Sequence, residues 1–419
     1  MSKMGGRSAV QEWEGLRDFI DPLERAILAL PPLALRADLS VASTALPYLP
    51  GLADPRIGLK AGLLSGPWEA VLDKARVSNQ FLRRWFDFLA FAFSGLPSDG
   101  TVAAAMVYMM AEFYKEGAKM DYPIGGSGAV VDALVRGVEK RGGQVRLRSP
   151  VSEIILEDGR AVGVTLKSGE KITAKHAVIS NAPVWGTAKL LPPELRSQFK
   201  NDKSALDETT PMTPSFMHLH LGITAEGLSD EALSSIHHIV VPSWEHLTAP
   251  QQTVFVSIPS ILDPTLAPPG HHVIHAYLPA TEPFEIWEGL DTQSEEYKKL
   301  KQDRVKCLFS AIERFIPDIR ERIVVEMAGS PLTHQRFLNR PRGTYGPELS
   351  AGEGEAFPGA RTPIDGLLCC GDSTWPGIGV PAVAGSGIAA ANAVRGTAAP
   401  QRELLQEMRT NDLLRPRLS

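Results

Sequence analysis

Residues 369–381 read CCGDSTWPGIGVP and indicate the end of a buried strand, a glycine-rich loop and the start of a helix. The apolar run GLLCC, which ends at Cys370, is typical of a strand buried on both faces. Asp372 follows at the carboxyl end of that strand, where the ligands of α/β sheets gather. Pro381 is predicted to be the first residue of a helix, where its missing N–H costs nothing. The stretch therefore predicts a ligand site between a strand end and a helix N-terminus.

The glycines in and just after this stretch match a dinucleotide-binding motif only weakly. Windows that start at Gly377 and at Gly385 match G-x-G-x-x-[GA], but a Rossmann turn follows its strand at once and has an acidic residue about 20 positions later. We expect instead that Gly377 and Gly379 let the backbone approach a flat ligand. The helix dipole would stabilise negative charge, such as that of a reduced flavin, by about 0.3–1 kcal/mol. An ordinary strand–loop–helix connection is the alternative.

The composition argues against several classes of protein. A net charge of -5 and a pI near 6.1 disfavour nucleic-acid binding, which needs a clustered basic surface. The three cysteines make no disulfide framework, which favours a reducing compartment, and the adjacent Cys369 and Cys370 are interpreted as buried strand residues. The longest apolar run, residues 102–111, falls short of the ~20 residues of a membrane-spanning helix. The first residues lack the apolar core of a targeting peptide.

The first 120 residues are predicted to be helical and strongly apolar. QFLRRWFDFLAFAF (residues 80–93) and TVAAAMVYMMAEFY (residues 101–114) leave little polar surface. Such helices are buried, line a cavity or meet lipid. Core packing is one interpretation, and the wall of a tunnel for a long hydrocarbon is the other. LALPPLALRADL (residues 28–39) breaks at its proline pair and is predicted to form an amphipathic surface segment.

The pattern changes at Tyr122, where YPIGGSGAVVDALVRGVEKRGGQVRL predicts a glycine-rich turn, a helix over residues 129–140 and a strand over residues 144–147. Alternating segments separated by turn residues then predict an antiparallel meander. Its three strands are expected at residues 151–159, 160–170 and 171–183. Strands and helices mix over residues 190–340, and the chain ends in a polar tail.

Seven segments, in order along the chain, resemble one family: YPIGGSGAVVDALVRGVEKRGGQV, SNAP, FMHLHLG, SIHHIVVPSW, LAPPGHHVIHAYLPATEPFEIWEGL, SPLTHQRFLNRPRGTYGP and CCGDSTWPGIGVPAVAGSG. They are similar to the carotenoid isomerases, also called prolycopene isomerases, which belong with the bacterial-type phytoene desaturases. The resemblance implies a mixed α/β (α+β) class, the two-domain fold of FAD-dependent amine oxidases and phytoene desaturases. Members carry a G-x-G-x-x-G unit before the region where this chain begins. The chain is therefore expected to lack the N-terminal βαβ unit, through a late gene start or truncation, and to hold FAD less firmly.

The resemblance also implies a division of the chain and a set of site residues. The expected regions are a helical, apolar substrate- or membrane-facing region (1–120), the middle part of the FAD-binding domain (121–190), a substrate domain (191–340), a C-terminal FAD-binding segment (341–396) and a polar tail (397–419).

The implied FAD contacts are Val151 at the adenine, Asn181, Ala182 and Pro183 near the flavin ring, Gly371 and Asp372 on the ribityl–pyrophosphate side, and Gly379, Val380 and Pro381 at the pyrimidine edge. Phe88, Tyr108, His334 and Tyr345 are expected to line a substrate tunnel.

The implied activity is conversion of poly-cis lycopene (prolycopene) to all-trans lycopene, with no net redox change, by an enzyme that holds reduced FAD. A reduced flavin can lower the order of a conjugated C=C bond for a moment and then recover its electrons. The expected partners are a carotenoid and, peripherally, a membrane, in a plastid or at a photosynthetic membrane. The alternatives are a polyene desaturase or saturase, and an inactive fragment that binds carotenoid or membrane.

No residue is assigned a catalytic role by the sequence. His218 and His220 alternate on one face of a predicted strand, but no third ligand is apparent. They are interpreted as core or tunnel histidines, and no metal site is predicted. His334 could orient a group or be a satisfied buried histidine, and Glu282 and Glu285 are as consistent with a structural role as with general acids.

Overall fold

The computed structural model describes residues 2–29, 54–118, 122–196 and 209–395, together with residues 406 and 410. The predicted surface segment beyond residue 29 and most of the predicted polar tail lie outside these residues. The chain divides into two compact units. Unit 1 consists of Met1–Ala118, Ser149–Pro211 and Gly346–Ser419, and unit 2 of Lys119–Arg148 and Met212–Tyr345.

Eleven helices are numbered here in chain order within the described residues. They are α1 (Ser2–Ala29), α2 (Pro55–Lys60), α3 (Trp68–Lys74), α4 (Gln80–Ser94), α5 (Ala103–Phe113), α6 (Gly126–Lys140), α7 (Val184–Lys189), α8 (Glu295–Ile312), α9 (Ile319–Arg322), α10 (Pro331–Leu338) and α11 (Val380–Arg395). Among the described helices, none has both the length and the apolar character that crossing a bilayer requires.

The strands of the described residues form three sheets. The strands are β1 (Val151–Glu157), β2 (Arg160–Leu166), β3 (Lys171–Thr173), β4 (Val178–Ser180), β5 (Ser215–Thr224), β6 (His237–Val240), β7 (Val254–Ser257), β8 (His271–Glu282), β9 (Ile323–Gly329) and β10 (Leu367–Cys369). Their orders are β1-β2-β3, β10-β4 and β6-β7-β8-β5-β9.

Capping residues set both ends of α4, one of the two predicted apolar helices of unit 1. Helix α4 begins after Asn79, whose side chain accepts hydrogen bonds from the backbone N–H groups of Phe81 and Leu82. It ends at Gly95, which adopts a left-handed conformation. Fully buried Phe86 packs edge-on against Trp68 with 5.5 Å between ring centroids. The two predicted helices are therefore confirmed, and the inward face of α4 is core.

The predicted meander forms, but its third strand is shorter than predicted. β3 pairs antiparallel with β2, whereas β4 leaves the meander and pairs parallel with β10. The N–H of Cys370 donates to the carbonyl of Ser180 at 2.9 Å, and that of Val178 donates to Gly366 at 2.8 Å. The prediction of one strand over residues 171–183 was wrong because β4 finds its partner almost 190 positions later in the chain.

Unit 2 is built on the five-stranded antiparallel sheet. Along β5 the odd-numbered residues Met217, Leu219, Leu221 and Ile223 are buried in a core that also contains Leu308 and Ile312 of α8. The even-numbered residues occupy the other face of the sheet. Two predictions need correction: α6 begins at Gly126, three residues earlier than predicted, and residues 144–147 form no strand.

Candidate functional site

The carboxyl ends of β4 and β10 lie side by side, because Cys369 is opposite Ser180 in a parallel pair. The loops that follow both strands therefore leave the same edge of this small sheet. Gly371 has φ +101°, and a Cβ atom there would lie 2.6 Å from Oδ1 of Asn181. The two loops are in contact, so the structure brings together the predicted residues Asn181 and Gly371.

Hydrogen bonds hold these loops to each other and to α11. The N–H of Val184 donates to Oγ of Ser373 at 3.2 Å, and the N–H of Gly371 donates to Oγ of Ser386 on α11 at 3.0 Å. Asp372 lies between Gly371 and Ser373, the two residues of its loop that make these hydrogen bonds. We call residues 181–183, 371–373 and 379–381 the clasp.

The N-terminus of α11 forms one side of the clasp. The helix begins at Val380, so Pro381 is its second residue and not the predicted first. Gly379 has φ +108°, and a Cβ atom there would meet nothing within 4 Å, while Val380 is 77 % exposed. The first N–H groups of a helix have no acceptors inside it and favour negative charge. This end of the clasp is therefore open and suited to an electron-rich ligand edge.

Gly377 differs from Gly379 in its surroundings. It also has a positive φ, +116°, but a Cβ atom there would lie 2.7 Å from the ring of Phe357. The contact with Phe357 is therefore enough to require a glycine here, and the expectation that Gly377 lets the backbone approach a ligand stays a prediction.

The thiols beside the clasp are not nucleophiles. All three cysteines are free. Burial raises the pKa of Cys369 to about 12 and also raises the pKa of Cys370. Both groups are therefore protonated near neutral pH, and an uncharged thiol is a poor nucleophile and a poor metal ligand.

Three other predicted site residues lie elsewhere in unit 1. Val151 begins β1, opposite Leu166 on β2. Phe88 on α4 is only 2 % exposed, which fits the core-packing interpretation of that helix. Tyr108 on α5 is partly exposed, and burial of the rest of its side chain raises its pKa. The contacts predicted for these residues stay predictions.

In unit 2 the structure brings together the other two predicted substrate residues. The ring of Phe216 is 5.8 Å from that of His334 and 5.1 Å from that of Tyr345, measured between centroids. His334 is also 4.7 Å from His218. These rings lie on or beside the face of the sheet opposite its apolar core.

Five flat side chains on three adjacent strands of unit 2 form a layer that we call the ring row: His218, His220, Phe255, His275 and Tyr277. Neighbouring rings are 4.4–6.0 Å apart, and their planes differ by 2–20°. Strands are about 4.8 Å apart, so rings stacked across strands stand with their edges away from the sheet. A cavity of about 640 Å³ is lined by the three histidines of this row, His334 and parts of β9 and α8.

The histidines of the ring row are uncharged near neutral pH. Burial, and after it the repulsion from His275 when that ring is protonated, lowers the pKa of His218 to about 2. Burial lowers the pKa of His275 to about 4, and it also lowers those of His220 and His334. The row therefore presents neutral rings to the cavity.

The sequence prediction missed His275, Tyr277 and Phe255. Alternation within HHVIHAYLP places His275 and Tyr277 on one face of a strand, and that signal was available. The alignment of His275 with His220 depends on the register of β5 and β8, which the sequence alone does not provide.

Comparison with known protein families identifies the family of this chain. The sequence profile of the flavin containing amine oxidoreductase family matches residues 10–395. The chain belongs to this family. The predicted mixed α/β fold of FAD-dependent amine oxidases is thereby confirmed, as is the prediction of a flavin enzyme family. From residue 2 to residue 148, the described residues contain helices and no numbered strand.

Three similar proteins illustrate the range of relatives. A chloroplastic prolycopene isomerase of an Oncidium hybrid cultivar is 39 % identical over 281 residues, which cover 66 % of this chain and 46 % of the relative. A neurosporene-forming phytoene desaturase of Rhodobacter capsulatus is 29 % identical over 322 residues, which cover 72 % and 59 %. A solved oxidoreductase structure from Methanosarcina mazei is 19 % identical, covers 79 % and 70 %, and has a TM-score of 0.49. The chain spans about half the length of the curated relatives that it matches.

The clasp residues fit one end of a flavin cofactor. Gly379 leaves space that a side chain would fill, and the start of α11 supplies N–H groups beside it. Asp372 adds a carboxylate at the strand end, where it can accept hydrogen bonds from hydroxyl groups. A flat, electron-rich ring carrying a hydroxylated chain has the chemistry that this donor and acceptor set matches.

Proposed function

We propose that the chain takes part in FAD-dependent cis-to-trans isomerisation of poly-cis lycopene to all-trans lycopene. The observation that carries the proposal is the 39 % identity with a plant prolycopene isomerase over 281 residues. The location of that relative supports a plastid setting. The cofactor would be held in its reduced form.

The clasp residues would bind and orient the cofactor. Asp372 would accept hydrogen bonds from the ribityl hydroxyls, and the N–H groups at the start of α11 would stabilise negative charge on the pyrimidine edge. Asn181, Ala182 and Pro183 would position the ring from the opposite loop, and Val151 would contact the adenine. When bound, reduced flavin would supply electron density that lowers the order of a conjugated C=C bond, and the flavin would recover its electrons afterwards.

The substrate is a long, flat and apolar molecule, so its site needs neutral surfaces and little water. Within unit 2, His334 and Tyr345 are the residues proposed to contact it. The low pKa of His334 supports the proposal, because an uncharged imidazole loses little solvation energy beside a hydrocarbon.

The first prediction concerns cofactor retention. We expect the protein, purified with added FAD and then desalted, to retain the visible flavin absorbance band. Asp372→Ala should weaken FAD binding about 10- to 100-fold, because it removes a charged hydrogen-bond acceptor worth about 1.5–3 kcal/mol. Asp132→Ala, on the exposed surface of α6, is the control and should bind FAD normally. Equal FAD affinity of both variants would contradict the role of Asp372.

Product analysis distinguishes the proposed reaction from its alternatives. With reduced FAD and prolycopene, an isomerase yields all-trans lycopene of unchanged mass. A desaturase product is lighter by two hydrogens per step, and a saturase product is heavier by two. The similarity to a phytoene desaturase is the reason to test for these products. An unchanged substrate in the presence of retained flavin would indicate an inactive fragment.

A second prediction concerns peripheral membrane contact. Phe93 and Phe113, at the ends of α4 and α5, are each 40 % exposed, and their rings are 5.7 Å apart. Exposed aromatic rings insert into the headgroup region of membranes. We expect co-sedimentation with phosphatidylcholine–phosphatidylglycerol vesicles, reduced about 10-fold by Phe93→Ser with Phe113→Ser. Phe337→Ser, on the exposed surface of α10, is the control, and an equal effect there would argue against a specific patch.

A further inference from the structure

We propose that His218, His220 and His275 form a binding site for a divalent transition-metal ion of the zinc, cobalt or nickel type. The proposal is independent of the proposed function. It rests on the placement of three imidazoles on two paired strands of unit 2.

The sheet register brings the three side chains to one spot. His220 on β5 is directly opposite His275 on β8, and His218 is two residues from His220 on the same face. One ring nitrogen from each histidine lies within 4.8 Å of the others. Two donors on one strand and a third on its neighbour therefore converge without help from a loop.

The distances suit tetrahedral coordination after small side-chain rotations. Zinc–nitrogen bonds of 2.0–2.1 Å place tetrahedral ligand atoms about 3.3 Å apart. Nδ1 of His218 and Nε2 of His275 are 2.6 Å apart in a hydrogen bond, which a metal ion would replace as this pair separates by less than 1 Å. Donor atoms near the 4.8 Å limit of the group would move closer by about 1.5 Å.

A fourth imidazole provides an independent observation. Nε2 of His334 is buried and has no hydrogen-bond partner among the described residues, and its ring centroid is 4.7 Å from that of His218. An unpaired buried nitrogen costs free energy unless a ligand or water satisfies it. A water on the metal ion would supply that partner, which makes His334 a positioning residue and not a ligand.

The surroundings permit a metal ion to enter. His220 is exposed, and the cavity beside it also contacts Met327, Lys301 and Glu326. The lysine and the glutamate contribute one charge of each sign, so the cavity carries no large excess of positive charge. Three imidazoles with an open fourth position are the donor set of catalytic zinc sites, and imidazole suits zinc, nickel and copper better than magnesium or calcium.

The test is metal binding by the full chain, freed of any histidine tag and treated with a chelator. Titration calorimetry with Zn²⁺ should give one ion per chain, and Co²⁺ should give the visible absorption of a tetrahedral site. His275→Ala and His220→Ala should abolish both signals. His334→Ala should weaken binding about 10- to 100-fold, as loss of an outer hydrogen bond to a metal site does.

Two controls keep the test decisive. His271→Ala removes a partly exposed histidine from the same strand and should leave the titration unchanged. His275→Gln keeps a polar side chain of similar length, so loss of Co²⁺ absorption with an unchanged unfolding temperature separates ligation from folding. The inference is overturned if Zn²⁺ binds with no fixed stoichiometry, if it does not bind, or if His275→Gln binds it as well as the unaltered protein does.

Discussion

Glu282→Leu is expected to lower the free energy of unfolding by about 3–5 kcal/mol, because it leaves a largely buried arginine without its counter-charge. The Glu282 side chain is 0 % exposed and that of Arg304 is 16 % exposed. Nε and Nη2 of Arg304 donate to the two carboxylate oxygens at 2.8 and 2.7 Å, and Nε1 of Trp287 donates to one of them at 2.9 Å. This fully hydrogen-bonded pair has a structural role, which is one of the two roles that the sequence left open for Glu282.

A double-mutant cycle measured by urea unfolding tests this expectation. Glu282→Leu combined with Arg304→Met should recover most of the lost stability, because replacing a whole buried pair by apolar residues is often neutral. The control is Glu295→Gln, which breaks a solvent-exposed pair with Lys298 and should change stability by less than about 1 kcal/mol. If Glu282→Leu has an effect as small as the control, the pair contributes little to stability.

Elements governed by short-range chemistry could be predicted from the sequence. The apolar stretch of residues 80–93 was predicted as a helix, and α4 covers Gln80–Ser94, with a capping asparagine before it and a glycine after it. The turns of the meander were equally visible, since Gly159 and Gly169 both adopt the positive φ that such turns require. In these segments, a few neighbouring residues determine the conformation.

Elements that depend on a distant partner could not be predicted. Residues 144–147 have the apolar alternation of a strand, yet they form no ladder with the described strands. β4 reads as the end of the meander and instead pairs with β10. A strand needs hydrogen bonds from a neighbour, and the sequence of the strand does not say which neighbour is available.

The clasp and the three-histidine group also differ in whether nearby or distant residues determine them. The clasp residues 371–373 and 379–381 belong to one continuous stretch, residues 369–381, which predicted a ligand site by itself, whereas residues 181–183 came from the family resemblance. The three-histidine group was not predicted, because His275 is 55 residues from His220 in the chain and reaches it only through the pairing of β5 with β8. The sequence predicted no metal site because no third ligand was apparent, and the register places a third imidazole, that of His275, opposite His220.

Gly371→Val is expected to abolish flavin retention and to lower the free energy of unfolding by about 2–4 kcal/mol. At φ +101° a residue with a side chain is strained by about 1–3 kcal/mol. The added Cβ would also lie 2.6 Å from Oδ1 of Asn181, which adds the cost of overpacking. The strain falls where the loops after β4 and β10 meet, so it should displace Asn181 and Asp372 together.

Gly379→Ala separates damage to the clasp from loss of the ligand. Its φ of +108° is equally unfavourable for alanine, but the added Cβ meets no protein atom within 4 Å. We therefore expect a smaller loss of stability, about 1–3 kcal/mol from backbone strain alone, with a loss of FAD affinity as large as that of Gly371→Val. Thermal unfolding and FAD titration of both variants provide the comparison. Normal FAD binding by Gly379→Ala would show that the space beside α11 is not where the flavin lies, because a bound ring would contact the new methyl group.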